Sequence, residues 1–320
     1  MIVEILATLT PVFGLIFLGV FLRHIGFLDP QMESALNRFA YWIALPTFIV
    51  VKIADAPGID PASIEITATL MLATTAMIFA GILGGWILRI PPSSRGSFVQ
   101  AGFRGNLAYI GIPVINFALL DRTPLIQDEG EALAVLSMTP LVLVYNLLAV
   151  MALEWDRRKE QNQHPIRSWL RSTVRNPLII ACIIGLVWNA IRIPVPELLT
   201  KMSDPLGNTA FPLALMAIGA RIRSLSWTNA GKGMLGACLV KNAIGVLSAW
   251  GIAHVMSIDG TAMLVVLVLG GTPSAIASYV LVDQLNGDRD LTAAAIAGST
   301  VASIASLAGA LWIYFMYYAP

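Results

Sequence analysis

Apolar runs of about 20 residues follow one another along the chain, separated by short polar connectors. A run of that length crosses about 30 Å of hydrocarbon as a helix. Hydropathy places ten spans, at 4–23, 33–54, 64–89, 97–119, 131–153, 177–191, 198–220, 230–254, 260–284 and 291–316. Pro11 and Pro46 fall inside the first and second of these and predict kinks. The expected architecture is an all-α polytopic membrane protein.

The pattern is interrupted inside two spans. The fourth contains FRGNLAYIGIPVINF, Phe103–Phe117, and the ninth contains LGGTPSAIASY, Leu269–Tyr279. No water inside a bilayer satisfies freed backbone groups, so a broken helix is tolerated only beside protein or a polar cavity. Pro113 lacks an N–H and would leave the carbonyl of Tyr109 without its helical donor. Gly270, Gly271 and Pro273 interrupt the ninth span in the same way. Both prolines are expected to hold non-helical backbone at one depth, facing a shared polar cavity. Paired broken segments in corresponding halves point to the binding site of a secondary transporter. The candidate substrate-binding residues are therefore Asn106, Tyr109, Gly111, Ile112, Pro113, Gly271, Thr272, Pro273 and Ser274. Asn106 lies seven residues before Pro113, and its amide can both donate and accept.

Composition agrees with the hydropathy. The 320 residues are 57% hydrophobic and only 12% charged, against about 25% charged in a soluble domain. Charge distribution adds an orientation. The sizeable connector EWDRRKEQNQHPIRSWLRSTVRN, Glu154–Asn176, carries Arg157, Arg158, Lys159, Arg167, Arg171 and Arg175. Positive-inside bias puts it in the cytoplasm. Alternation from there adds Arg23, Arg89, Arg95, Arg221, Arg223, Lys232 and Arg289 to the inner side, leaving Lys52, Arg122 and Arg192 outside: thirteen against three. Both termini then face outward. The loop 154–176 divides the chain into 1–153 and 177–320, five spans each, and an odd number per half forces opposite orientations.

A few polar residues fall within spans. Lys241, in CLVKNAIGVL, sits near the middle of the eighth, where a cation costs about 2.5–3.5 kcal/mol and needs a partner or a cavity. It is either paired to backbone carbonyls or part of the site. Asn146, beside Tyr145 in the fifth span, is a further candidate for the cavity lining. Arg104 is expected to extend to the inner surface, as is Arg38 beside Asn37. Lys201 and Asp204 are spaced to pair on one helical face. Asp283 and the run Gly287–Asp290 read as a solvated turn with a helix cap. Motifs of soluble catalysis are missing: no HExxH, GxSxG, phosphate-binding glycine loop or Cys/His cluster occurs. His24, His164 and His254 fall at or beyond span ends, while Cys182 and Cys238 lie in apolar segments. The expectation is no enzyme, no metal, no cofactor and no nucleic-acid partner.

Several of these stretches resemble one family, the auxin efflux carriers, which includes plant PIN-type exporters and bacterial dicarboxylate permeases. They are ALNRFAYWIALP in the second span, Asn106–Pro113, ALEWDRR at the end of the fifth, VRNPLI at the start of the sixth, and Pro273 through SYVLVDQLNGD. The resemblance implies two inverted five-helix repeats whose broken fourth and ninth helices cross. It implies a scaffold of spans 1, 2, 6 and 7 that forms a homodimer, and a transport domain of spans 3–5 and 8–10 moving as an elevator. It also implies a small organic anion, an auxin-like acid or a dicarboxylate, as substrate. Helix N-termini at a crossing suit a carboxylate. The third span has no mid-membrane carboxylate and the long loop of many plant members is absent, so a compact bacterial-type carrier in the inner membrane is the closer resemblance. Two other functions are weighed against it: a cation/proton antiporter, which needs ionisable carboxylates at the crossing, and a receptor or assembly module that binds without transporting.

The charge count predicts that Gln161 is cytoplasmic and Ala319 external. Single cysteines at these positions should be labelled by an impermeant thiol reagent in intact cells only at 319. Labelling of the 161 variant from outside would reverse the assignment and remove the inverted repeat.

Overall fold

The computed structural model describes residues 1–55, 61–155, 177–224 and 231–319. All regular secondary structure among them is helical: α1 (Ile2–His24), α2 (Pro30–Ala54), α3 (Pro61–Ile87), α4 (Pro92–Phe103), α5 (Leu107–Leu119), α6 (Pro124–Trp155), α7 (Pro177–Ile191), α8 (Glu197–Ser224), α9 (Gly231–Val255), α10 (Gly260–Gly271), α11 (Ala277–Gln284) and α12 (Arg289–Tyr317). Six of these, α1, α2, α3, α6, α9 and α12, are each long and apolar enough to cross a membrane. Apolar α5, α7 and α10 are shorter. The spans expected at 97–119 and 260–284 are each two helices, with non-helical backbone at Arg104–Asn106 and Thr272–Ile276. The basic connector 156–176 lies outside the described residues.

Helix starts follow from local chemistry. Asp29 caps α2 by accepting from the Met32 amide at 2.7 Å, and Asp288 caps α12 by accepting from that of Leu291 at 2.9 Å. The cap expected in Gly287–Asp290 is thus present, and the Ser94 hydroxyl also donates to the Asp288 carboxylate at 2.6 Å. Proline has a less familiar consequence here. A π turn at Ala40–Ala44 precedes Leu45-Pro46, and another at Leu107–Gly111 precedes Ile112-Pro113. In each, the amide just before the proline donates five residues back, Leu45 to Ala40 and Ile112 to Leu107. The widened turn absorbs the missing donor, and the helix continues. Pro113 therefore sits in the first turn of the helical stretch Ile112–Leu119, where an N–H is not required, and the break lies before it at Arg104–Asn106.

The helices pack in two groups. In the first, α1 lies along α8 and α2 along α7, with α8 also against α2. The α1–α8 crossing is backbone to backbone: a Cβ built on Gly19 would lie 2.1 Å from the Met216 carbonyl oxygen, and one on Gly219 only 1.9 Å from that of Ile16. Small residues at such a crossing let two backbones approach without hydrogen-bonding side chains. In the second group, α3, α5, α6, α9 and α12 surround α10, whose residues Met263–Gly271 are all buried. A helix apolar on every side belongs at such a centre. The outer surface is apolar too, with Phe17, Phe21, Phe79, Ile183 and Val187 among its exposed residues, as a lipid-facing surface requires. Lys52 on α2 joins the groups through Asp128 (2.9 Å) and Glu131 (2.7 Å) of α6, and Asn116 of α5 bonds Glu131.

Gly219→Ala places a methyl into the backbone of α1, which has no side chain to move aside. The variant should lose about 1–3 kcal/mol of stability, seen as a lowered thermal midpoint in detergent. Gly14→Ala on the same helix meets nothing within 4 Å and should be neutral. Equal midpoints for the two variants would contradict the close crossing.

Candidate functional site

The two breaks meet. Gly105 and Ser274 form an isolated antiparallel bridge between α4–α5 and α10–α11. The Asn106 amide donates to the Pro273 carbonyl at 2.8 Å, and the Ala275 amide donates to the Arg104 carbonyl at 2.8 Å. Backbone groups that two broken helices leave free are thus satisfied by each other. The Asn106 carbonyl then accepts from Ile110 and Gly111, both at 3.3 Å, and starts α5. Ser274 is pinned further: its hydroxyl donates to the Ala101 carbonyl at 2.5 Å, and its amide donates to the Ser299 hydroxyl at 3.0 Å. The sequence permits this approach through glycine. A Cβ at Gly105 would stand 2.7 Å from Thr272 Oγ1 and 3.2 Å from Lys241 Cε, and one at Gly111 would stand 2.6 Å from Leu269 Cδ2.

Two buried cations flank the bridge. Lys241, in a π turn of α9, donates from Nζ to the Gly270 carbonyl at 3.0 Å and is 1% exposed. That carbonyl lies in the last turn of α10, the negative end of the helix. The Lys241 stem lies on the side toward which a Gly105 side chain would point. Arg104 precedes Gly105 in extended backbone, where successive side chains leave on opposite faces. Its guanidinium donates to Asn146 Oδ1 on α6 and to the Ala277 carbonyl at the start of α11 (3.4 Å). One turn back on α4, the Gln100 amide reaches the Ser278 carbonyl at 3.1 Å. Among the described residues, buried Gln100 Oε1, Ser278 Oγ, Asn242 Oδ1 and the Tyr109 hydroxyl have no hydrogen-bond partner.

Several sequence expectations change here. Pro113 and Ile112 are buried in the helical start of α5, so the bridge pairs Asn106 with Pro273 and leaves Pro113 helical. Gly271 ends α10, its carbonyl accepting from Ser306 at 2.9 Å, and Thr272 Oγ1 donates back to Leu269 at 2.8 Å. Lys241 has a carbonyl partner, the pairing expected of a structural role. Arg104 does not extend to a surface. It lies twelve residues beyond Pro92, about 18 Å along the helix, is 7% exposed, and is held by neighbours on α6 and α11. Counting from the prolines that start α4 would have revealed that depth. Asn146 is drawn to the site by Arg104, while Tyr145 is held apart by a hydrogen bond from Thr74 at 3.2 Å. Lys201 pairs with Glu197 at 2.6 Å, and the side chain of Asp204 is outside the described residues. Arg38 is exposed, as expected.

Comparison with known proteins covers nearly the whole chain. A family model described as "Membrane transport protein" matches residues 4–313. A protein of Methanothermobacter thermautotrophicus named "Uncharacterized transporter" is 25% identical over 312 residues, 94% of this chain and 95% of the relative. Another "Uncharacterized transporter", from Methanocaldococcus jannaschii, is 23% identical over 309 residues, 93% and 94% of the two chains. A Rhizobium meliloti protein named "Putative malonate transporter" is 24% identical over 325 residues, 97% and 96% of the two chains.

The bridge itself can be tested through Gly105. Gly105→Ala directs a methyl at Thr272 Oγ1 and should cost about 1–3 kcal/mol, read as a lower thermal midpoint. Adding Thr272→Ala removes the atom in the way and should recover part of the loss. Additive losses in the double variant would mean that the two residues do not meet.

Proposed function

The chain belongs to the membrane transport protein family, the auxin efflux carriers that its motifs resemble, and from that premise we propose that it is a secondary transporter for a small organic anion. The observation that carries this reading is the bridge between the two breaks. It is a place, buried among apolar helices, where backbone, a free asparagine amide and a guanidinium are gathered without an acidic partner among the described residues. A carboxylate suits that surplus of donors. The printed name of the Rhizobium relative supports placing dicarboxylates such as malonate in the substrate class. The antiporter alternative needs an ionisable carboxylate at the bridge, and no described Asp or Glu is hydrogen-bonded there.

In this reading the ten expected spans form two inverted repeats, with α4–α5 and α10–α11 as the crossing pair. The group α1, α2, α7 and α8 is the scaffold, and its exposed apolar surface on α7 is the place for a homodimer contact. The group α3–α6 with α9–α12 moves as an elevator carrying the substrate. The bridge joins helices of the two halves inside that second group, which favours its moving as one body. Binding draws on Asn106, whose side chain makes no cap hydrogen bond to its own helix, on Tyr109 in the turn that follows it, and on Asn146, which accepts from Arg104.

Reconstituted protein should exchange labelled malonate or labelled acetate in proteoliposome counterflow. Asn106→Ala should raise the dissociation constant by the equivalent of about 0.5–1.5 kcal/mol, with little change in stability without ligand. Binding without exchange would identify a receptor, and neither binding nor exchange of either acid would remove the carboxylate reading.

A further inference from the structure

Arg104 has no structural use for its charge. A guanidinium carries five N–H donors, and the two hydrogen bonds made by this one go to neutral oxygens, Asn146 Oδ1 and the Ala277 carbonyl. A neutral amide side chain would serve those partners as well. Among the described residues no carboxylate pairs with it. An ion buried in a medium of low polarity carries a penalty that only an opposite charge or a full set of hydrogen bonds offsets. The other buried cation is placed differently, since Lys241 lies on the opposite face of the bridge with its ammonium against α10. The alternation of extended backbone therefore separates a packed cation from one that faces α2 and α6.

A second observation marks the same side. The Tyr109 hydroxyl, in the π turn that follows the bridge, is buried and has no partner among the described residues. Tyr41, on α2 of the other helix group, lies within electrostatic range of both Arg104 and Tyr109. A cation short of an anion and a hydroxyl short of an acceptor thus share one side of the bridge, against one residue of α2. A carboxylate supplies what both lack: two acceptor oxygens for a planar fork, and a lone pair for the hydroxyl.

We infer that Arg104 binds the carboxylate of the transported anion and that the Tyr109 hydroxyl is its second donor. This rests on the carrier reading above and adds to it the residue that selects for negative charge. Asn146 is the positioning residue, since its side-chain oxygen orients the guanidinium.

The test is binding of malonate and of acetate to purified protein, by calorimetry, with the thermal midpoint measured without ligand. In the wild type at least one acid should bind. Arg104→Gln should weaken it by about 10-fold or more, as the loss of a charge-assisted bond predicts, with a ligand-free midpoint equal to or above wild type because an unpaired buried charge has gone. Arg104→Lys keeps the charge but loses the fork, and should weaken binding by a similar factor. Tyr109→Phe, which removes one hydroxyl that has no protein partner, should weaken it about 3- to 10-fold with an unchanged midpoint. If Arg104→Gln does not fold, the lysine and phenylalanine variants decide the matter. Wild-type affinity in Arg104→Lys and Tyr109→Phe, or a steep fall in midpoint with retained affinity in Arg104→Gln, would overturn the assignment to Arg104 and leave the carrier reading standing. A wild type that binds neither acid would overturn that reading and this one together.

Discussion

An apolar interior cannot leave a backbone amide or carbonyl unpaired, and the architecture around the bridge follows from that constraint. A helix satisfies its own backbone, so each break creates a local debt of hydrogen bonds. In this protein the breaks at Arg104–Asn106 and Thr272–Ile276 meet it by bonding to each other through Asn106 to Pro273 and Ala275 to Arg104. Neither break would be tolerable alone at that depth. Gly105 and Ser274, far apart in sequence, are thereby obliged to meet, and α4, α5, α10 and α11 are tied into one assembly with the helices packed on them. The small residues around them follow: Gly105 and Gly111 because a Cβ would strike the partner, Ser274 and Ser299 because they supply the remaining hydrogen bonds.

The same pairing sorts the polar side chains. A helix would spread residues 104, 105 and 106 around its axis at about 100° steps, but extended backbone sends neighbours to opposite faces. Arg104 goes to the side of Asn146 and Tyr41, and the space next to Gly105 is filled by Lys241. Lys241 finds the carbonyl end of α10, where a cation is favoured by the helix dipole as well as by its hydrogen bond to Gly270. Two cations of similar depth thus have different surroundings for a geometric reason.

What could be read from the sequence was whatever depends on local chemistry. The apolar runs locate most helix ends to within a few residues, although α6 starts seven residues before its expected span; the Asp288 cap is visible in GDRD, and both breaks are visible as glycine and proline inside apolar segments. The register of the pairing was not legible. Proline marked both breaks, yet Pro113 is absorbed by a π turn and the bridge forms seven residues earlier at Asn106. A missing N–H can be accommodated by a widened turn or by ending the helix, and sequence alone does not say which. Arg104 departs from the expected position for a related reason. Side-chain length suggested that it reaches the surface, whereas the twelve residues of helix before it put the surface out of reach. Lys201 pairs with Glu197 one turn back on the same face, and the side chain of Asp204 lies outside the described residues.

The two helix groups are fastened by different physics, and that difference bears on how a carrier could work. The α1–α8 crossing is locked by glycine-to-backbone contact and offers no room to slide. The second group is held by its bridge and by the buried helix α10. Between the groups, α1 packs on α5 and α12 and α2 on α6, and Lys52 bonds buried Glu131 and exposed Asp128, the exposed pair contributing only about 0–1 kcal/mol. In an elevator movement the bridge would travel intact, because every hydrogen bond that defines it is internal to the second group. The relation of Arg104 to Tyr41 would not, since Tyr41 stays with α2. The environment of the guanidinium would then change with the position of the mobile group while its coordination by Asn146 and Ala277 persisted. A bound anion travelling with Arg104 would cancel the charge otherwise dragged through the changing surroundings, and in such an elevator the loaded movement would be electrostatically easier than the empty one.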